Sequence, residues 1–423
     1  MKNEIFSENN LILVQKSGPL RGSVTVAGAK NSALKLMAAC LLAPGKFTLH
    51  NVPAIADVKW MSELLEHMGA SVTFNENQLD IEVPESLTPE APYELVERMR
   101  ASIVVLGPLL ARFGQAKVSV PGGDDFGHRP IDMHLRGLEE LGARFTTSHG
   151  YIEAETSGLT GRRVLLEFPS VGATENLLMA AVLAEGTTVI DNAAREPEIS
   201  DLADFLNQMG AEISGAGRSV ITITGVKKLH SAEHTVIPDR IEAATYLAAL
   251  GVVGGEIEIK QARADHMDML IRKLNEMGMS ISPSVEGLKA SAGKRLDSVD
   301  ISTLPYPGVA TDYKPLFVAM LSVAEGVGIV TENIFSGRFR YADELVRIGA
   351  DIRIEGHHAV VRGLPALSGA PVRAHDIRAG AALVVAGLAA EGNTRISDAY
   401  HISRGYQDLV GNLRSLGANI SYS

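Results

Sequence analysis

Residues 57–74 read DVKWMSELLEHMGASVTF, and the chain repeats this pattern six times. Apolar residues fall at helical spacing up to Met68, Gly69 follows, and side chains then alternate as they do in a strand. Glycine at this point is the left-handed residue that closes a helix. The same ending recurs as ELGA at Gly142, QMGA at Gly210, EMGM at Gly278, RIGA at Gly349 and SLGA at Gly417, a period of roughly 70 residues.

A second glycine lies upstream of each of these, at 45, 114, 186, 254, 326 and 392. Each follows a segment rich in small apolar residues: LMAACLLA, IVVLGPLLA, NLLMAAVLA, TYLAALGVV, PLFVAML and AALVVAGLAA. A helix that is apolar nearly all round is buried on every side. Each unit therefore reads as a buried helix, a strand, an amphipathic helix and a strand, with a further strand before the next unit. The predicted class is α/β, with sheets covering a ring of buried helices. Six units group as three plus three, with a boundary near Pro238, and the cleft between the halves is the expected ligand site.

One unit is longer than the rest. Gly114 to Gly142 spans 28 residues, against 24 from Gly45 to Gly69. The excess falls in PGGDDFGHRP, residues 121–130, ahead of the helical pattern IDMHLRGLEELG. A glycine-rich loop opening a helix offers free backbone N–H groups to an anion. Pro130 suits the first helical position, and Arg129 adds a planar fork of donors. A surface turn rich in Gly and Asp is the competing reading.

Composition bounds the function. Of 423 residues, 46% are hydrophobic and 21% charged, as in a globular protein of about two domains. A net charge of −11 points to no nucleic-acid or membrane partner. MKNEIFSENN carries no apolar signal core, and no run reaches the roughly 18 apolar residues of a membrane span. Cys40 is the single cysteine and sits in an apolar helical stretch, so a buried core residue and a reducing, cytoplasmic setting are expected. The twelve histidines are scattered, His357 and His358 reading as part of a turn, and neither a metal nor a cofactor is expected.

Further motifs carry a resemblance: VAGAKNSAL at 26–34, MRAS at 99–102, GG…G.RPID at 122–132, PSVGATEN at 169–176, NAAREPEI at 192–199, IPDRIEA at 237–243, PYPG..TD at 305–312, DIRAGA at 376–381 and RGY at 404–406. In these the chain resembles the enolpyruvyl transferases over almost its whole length, in the branch that acts on UDP-N-acetylglucosamine at the start of peptidoglycan synthesis. AGAKN stands where the shikimate branch has a GDKS-type start. The resemblance implies two domains, each an inside-out α/β barrel of three βαβαββ-type repeats. It places about 30–237 in the first, with a catalytic loop at 121–130, and 1–29 with 238–423 in the second.

The implied reaction moves the enolpyruvyl group of phosphoenolpyruvate onto a sugar hydroxyl and releases phosphate. A trianionic donor needs cations, the hydroxyl needs a base and C3 of the donor needs an acid. On the matched motifs, Lys30, Arg100, Arg129, Arg378 and Arg404 are the expected donor-binding cations, Lys30 and Arg404 also serving the catalytic step. Asp312 is the expected base at the acceptor hydroxyl, with a helix N-cap as its competing role. Asp124 stands in the loop where many members carry cysteine; its step is acid chemistry at C3 or product release. The acceptor nucleotide falls to Arg129, Pro130, Ile131, Asp132 and Met133 at uridine, and to Ser170, Val171 and Gly172 near the diphosphate. Asn31, Glu196, Asp312 and Ile334 complete its expected contacts; Asn31 also reads as a helix N-cap.

Some positions depart from the commonest pattern. Lys314 stands where Gln is usual, Ser403 where Asp is usual and Val309 where an aromatic is usual, and His128 precedes Arg129. Together they add positive character around the expected site, which keeps open a different uridine-nucleotide acceptor such as UMP. A non-catalytic repeat scaffold is a third reading, but it has no use for Lys30, Arg129, Asp312, Arg378 and Arg404 together. An acid at Asp124 must keep its proton near neutral pH. Asp124→Ala is expected to lose most phosphate release and Asp124→Cys to retain some. A carboxylate is a poorer nucleophile than a thiolate towards an epoxide, so stoichiometric fosfomycin is expected to leave the wild type active over time.

Overall fold

The computed structural model describes residues 11–120, 131–293, 295–335 and 337–423. They fall into two compact units of mixed α/β structure, one built from 28–120 and 131–237, the other from 11–27 and 238–423. Each unit holds three four-stranded sheets.

In the first unit the apolar helices are Lys30–Ala39, Leu106–Phe113 and Val171–Ala181. In the second they are Arg240–Val253, Lys314–Leu321 and Ile377–Ala389. Burial follows the sequence pattern: all of Lys314–Leu321 and all but the last residue of Ile377–Ala389 are buried. In the second unit the three pack directly on one another; in the first, helices 30–39 and 171–181 both meet the 3-10 stretch Arg100–Val105. That stretch replaces the first turns of the expected helix over IVVLGPLLA. Pro108 has no N–H to return to Val104, so the α-helical ladder begins only at Leu106. Each fully buried Leu of these helices contributes roughly 1.5–3 kcal/mol.

The amphipathic helices Ala56–Met68, Asp132–Glu140, Pro197–Gln208, Asp268–Glu276, Tyr341–Arg347 and Leu409–Ser415 alternate with the apolar ones. In four of the six sheets the strand just ahead of an apolar helix pairs parallel with the strand after it, and in five a hairpin partner follows antiparallel. Both units are closed by strands distant in sequence. Glu233–Thr235 pairs parallel with Gly45–His50 in the first. In the second, Ile12–Gln15 lies between Asn393–Ser397 and Ile420–Tyr422, and Leu20–Thr25 pairs with Gly255–Lys260.

The repeated glycines have one conformation. Gly69, Gly142, Gly210, Gly278, Gly349 and Gly417 have φ between 93° and 110°. At each, the glycine N–H returns to the carbonyl three residues back and the next N–H to the carbonyl five before it, as in Gly69 to Glu66 (3.0 Å) and Ala70 to Leu65 (3.1 Å). This double bond satisfies the last carbonyls of the helix and turns the chain into the next strand. A Cβ on Gly417 would meet nothing within 4 Å, so only backbone strain opposes a side chain there. Gly417→Ala is expected to cost about 1–2 kcal/mol, read as a lower Tm, with Gly417→Asn costing less.

Candidate active site

In the unit of 11–27 and 238–423, polar groups gather at the N-terminal ends of the apolar helices. Asp239 accepts from the N–H groups of Ile241 (2.7 Å) and Glu242 (3.1 Å), and Asp376 from those of Arg378 (2.8 Å) and Ala379 (2.9 Å). Helix Lys314–Leu321 has no side-chain cap. Asp312, two residues ahead of it, is therefore not consumed as an N-cap. Its Oδ1 accepts from Arg338 Nη2 at 2.7 Å and lies 4.0 Å from Arg378 Nε. Burial alone would raise its pKa; the Arg338 and Arg378 guanidiniums, with Arg240 behind them, outweigh burial and hold the carboxyl well below the usual carboxylate range. Its side chain is 25% exposed, which leaves the carboxylate reachable by a ligand.

Four arginines of this unit, Arg240, Arg338, Arg378 and Arg404, are at most 7% exposed. Arg378 Nη1 donates to Tyr406 Oη (3.3 Å), and Arg240 Nη1 to Tyr313 Oη (3.2 Å). Arg404 follows the short helix Tyr400–Ser403, and a Cβ at the next residue, Gly405, would stand 3.6 Å from Arg378 Nη1. Buried guanidiniums of this density suit a phosphate or carboxylate ligand. Ile334 lies in the same unit, its N–H donating to Glu332 Oε1 at 2.8 Å.

Lys314, read as added positive character around the expected site, is wholly buried, and its Nζ lies 2.9 Å from Glu332 Oε2. Val309 and Ser403 are buried too, and Ser403 Oγ donates to the Tyr400 carbonyl at 2.7 Å.

In the other unit, Lys30 Nζ lies 2.6 Å from Asp57 Oδ2, both buried. Asn31 is the second residue of helix Lys30–Ala39, whose N-cap is Ala29, so Asn31 does not cap it. Arg100 opens the 3-10 stretch. Burial, and then the Arg100 charge, push His134 down to about 4. The ring is therefore neutral, and its Nδ1 faces Asn176 Nδ2 at 2.8 Å as an acceptor, which puts its proton on Nε2. Gly172 rests on that ring: a Cβ there would come 2.9 Å from His134 Cε1, so only glycine brings this helix start so close. Ser170 Oγ accepts from Ala173 N–H at 3.3 Å, and Val171 is the first residue of the helix. Ile131 precedes helix Asp132–Glu140, which contains Met133. Asp132 Oδ1 is buried with no hydrogen-bond partner among the described residues. Glu196 precedes helix Pro197–Gln208, its Oε2 accepting from the Arg195 N–H at 3.0 Å. Asp124, Arg129, Pro130 and the rest of the 121–130 loop lie outside the described residues.

The sequence reading missed three groups. Asp57, paired with Lys30, lies in the first turn of an amphipathic helix, where an acid is ordinary. Arg338 is joined to Asp312 only by the fold. Arg240 was visible within IPDRIEA, and its arrival beside Asp312 was not.

Buried cations and a held carboxylate suit a group-transfer enzyme that handles anionic substrates. The family model of EPSP synthase (3-phosphoshikimate 1-carboxyvinyltransferase) matches residues 14–413, and the chain belongs to this family of enolpyruvyl transferases. Among its relatives, UDP-N-acetylglucosamine 1-carboxyvinyltransferase 1 of Caldanaerobacter subterraneus is 51% identical over 408 residues, 96% of this chain and 98% of the relative. UDP-N-acetylglucosamine 1-carboxyvinyltransferase of Mycobacterium tuberculosis is 49% identical over 95% of this chain and 96% of its own length. Among solved structures, the enolpyruvyl transferase NikO from Streptomyces tendae superposes with a TM-score of 0.88 at 26% identity, covering 99% of both chains.

Helix Val171–Ala181 also carries a buried acid. Burial pushes Glu175 up to about 7, and Lys35, 3.5 Å away, offsets this only in part. A carboxyl whose folded pKa is raised contributes stability that is present below the unfolded value near 4.5 and lost as pH rises to about 7. Glu175→Gln removes that loss. Between pH 5 and pH 8 its unfolding free energy is expected to gain about 2 kcal/mol relative to wild type, measured in urea.

Proposed function

We propose that this enolpyruvyl transferase moves the enolpyruvyl group of phosphoenolpyruvate to the 3-hydroxyl of UDP-N-acetylglucosamine with release of phosphate, the first committed step of peptidoglycan synthesis. The observation that carries the reading is Asp312, a partly exposed carboxylate held ionised between the buried Arg338 and Arg378. The names of relatives near half identity over almost the whole chain support the acceptor.

The acceptor oxygen attacks C2 of phosphoenolpyruvate as C3 takes a proton, giving a tetrahedral ketal. The ketal then loses phosphate and a C3 proton. Asp312 takes the hydroxyl proton. Its depressed pKa makes it a weak base at rest, so the transfer runs late, as the oxygen already bonds to C2. Lys30, Arg100, Arg129, Arg378 and Arg404 hold the phosphate and carboxylate of the donor and stabilise the charge on the ketal. Asp57 keeps the Lys30 ammonium in place. Asp124 serves at C3 or in product release.

For the acceptor, Asp132 Oδ1, with no hydrogen-bond partner among the described residues, offers an acceptor to a uracil N–H, and Arg129, Pro130, Ile131 and Met133 share the uridine role. Ser170, Val171 and Gly172 offer helix N–H groups to the diphosphate. Asn31, Glu196 and Ile334 are the further acceptor-side positions. Each unit is read as one domain, an inside-out barrel of three repeats; three buried helices and three four-stranded sheets per unit support this. A cytoplasmic setting fits the two phosphorylated substrates. No helix among the described residues is long and apolar enough to cross a membrane.

Phosphate release from phosphoenolpyruvate tests the reading. Turnover is expected with UDP-N-acetylglucosamine and little with UMP; the reverse order would overturn the acceptor. Asp312→Asn is expected to lower kcat by roughly 100-fold or more, the scale of losing a general base, with smaller changes in KM.

A further inference from the structure

The buried ammonium of Lys314 stands in a costly place. It belongs to the first residue of helix Lys314–Leu321, where the free N–H groups already carry partial positive charge. It has no solvent exposure. Burial pushes it down to about 8, with Glu332 offsetting part of that. Buried ion pairs of this kind are poor sources of stability, since an apolar pair of similar volume often does as well. What the pair supplies is geometry.

Glu332 accepts on both oxygens. Oε1 takes Thr303 Oγ1 (2.7 Å) and the N–H groups of Ile334 (2.8 Å) and Phe335 (3.1 Å). Oε2 takes Thr311 Oγ1 (2.7 Å) and Lys314 Nζ (2.9 Å). Because Thr311 gives its hydroxyl proton to Glu332, its lone pairs face Arg338, whose Nη1 donates to that oxygen at 3.1 Å. The guanidinium is planar and rigid, so seating Nη1 on Thr311 directs Nη2 to Asp312 Oδ1. Lys314 holds the other end of the same arginine, donating to the Arg338 main-chain carbonyl, and lies 3.8 Å over the Phe339 ring. One ammonium thus ties the segment bearing Asp312 to the segment bearing Arg338.

We infer that Lys314, acting through Glu332 and Thr311, is the positioning residue that sets the Asp312–Arg338 pair for the transfer. This rests on Asp312 serving the acceptor hydroxyl as proposed above. Lys314 supplies the positive charge nearest Glu332, and Arg338, Arg378, Arg240, Asp376, Asp312 and the Tyr341 hydroxyl are further titratable groups around this cluster. Removing the lysine charge leaves Glu332 buried among these without its closest counter-ion, so its pKa rises and it takes a proton nearer neutrality. Thr311 then loses a fixed acceptor and Arg338 its registration.

Kinetics on Lys314→Met and on the paired Lys314→Met/Glu332→Gln test this, with phosphate release as the assay. The single variant is expected to lose roughly 10- to 100-fold in kcat, the cost of a small misplacement at a reacting centre. Its kcat is expected to climb with pH between 6 and 8 beyond any wild-type rise, as Glu332 regains its charge. The paired variant has no carboxyl to titrate at position 332 and keeps an acceptor for Thr311, so it is expected to recover much of kcat and lose the added pH dependence. A single variant with wild-type kcat and pH profile would overturn the inference. So would a paired variant no better than the single one. If Lys314→Met fails to fold, recovery of fold and kcat in the paired variant supports the inference, and a folded paired variant without activity overturns it. Absence of wild-type turnover with any uridine nucleotide would instead defeat the functional reading beneath it.

Discussion

A helix that is apolar on every side cannot rest at a surface. It must be enclosed, and its polar groups can emerge only at its ends. Six such helices form the cores of this protein, three to a unit, and the sheets exist to cover them. The amphipathic helices fill the remaining flank of each repeat. With the sides of the core helices closed to water, polar and charged side chains gather at their N-terminal ends. Lys30, Asn31, Ser170, Gly172, Arg240, Asp312 and Arg378 all lie within two residues of where such a helix begins. These are also the ends where free N–H groups favour anions.

Buried carboxyls in this setting take opposite directions according to their neighbours. Burial raises all of them. Glu242 accepts from the Ala27 N–H (2.8 Å) and the Tyr246 hydroxyl (2.6 Å), neither of them charged, and is pushed up to about 7. Glu175, with one lysine at 3.5 Å, ends at a similar value. Asp312 meets Arg338 at hydrogen-bond distance with Arg378 and Arg240 behind it, and stays ionised. Glu332 is kept below its ordinary value by Lys314 and two threonine hydroxyls, which overcome its burial. The cations at the helix ends thus serve two purposes. They suit an anion, and they decide which acid in the core stays ionised.

Much of this was legible in the residues. The glycine period announced the six repeats, and every repeated glycine has the positive φ its place demanded. The all-round apolar segments are the buried helices. The resemblance to enolpyruvyl transferases, carried by motifs such as AGAKN and PYPG..TD, agrees with the family model and the relatives. Other features were not legible. Lys314 reads as an added charge around the expected site and is a buried tie to Glu332. Asp312 and Asn31 looked as much like helix caps as ligands of substrate, and neither caps its helix.

The residues alone determined periodicity, burial and the kinds of charge at each helix start, because these depend on neighbours within a few positions in the chain. Tertiary structure decided the pairings: Lys30 with Asp57, Lys314 with Glu332, Asp312 with Arg338, and the N-terminal strands with sheets near residue 400 and near residue 257. Such partners are set by how repeats close on one another, and a hydrogen bond between side chains 26 residues apart leaves no local trace in composition or spacing. Electrostatics follows the same division. The chain specifies an aspartate, but its affinity for a proton is set by arginines that only folding brings within 4.0 Å.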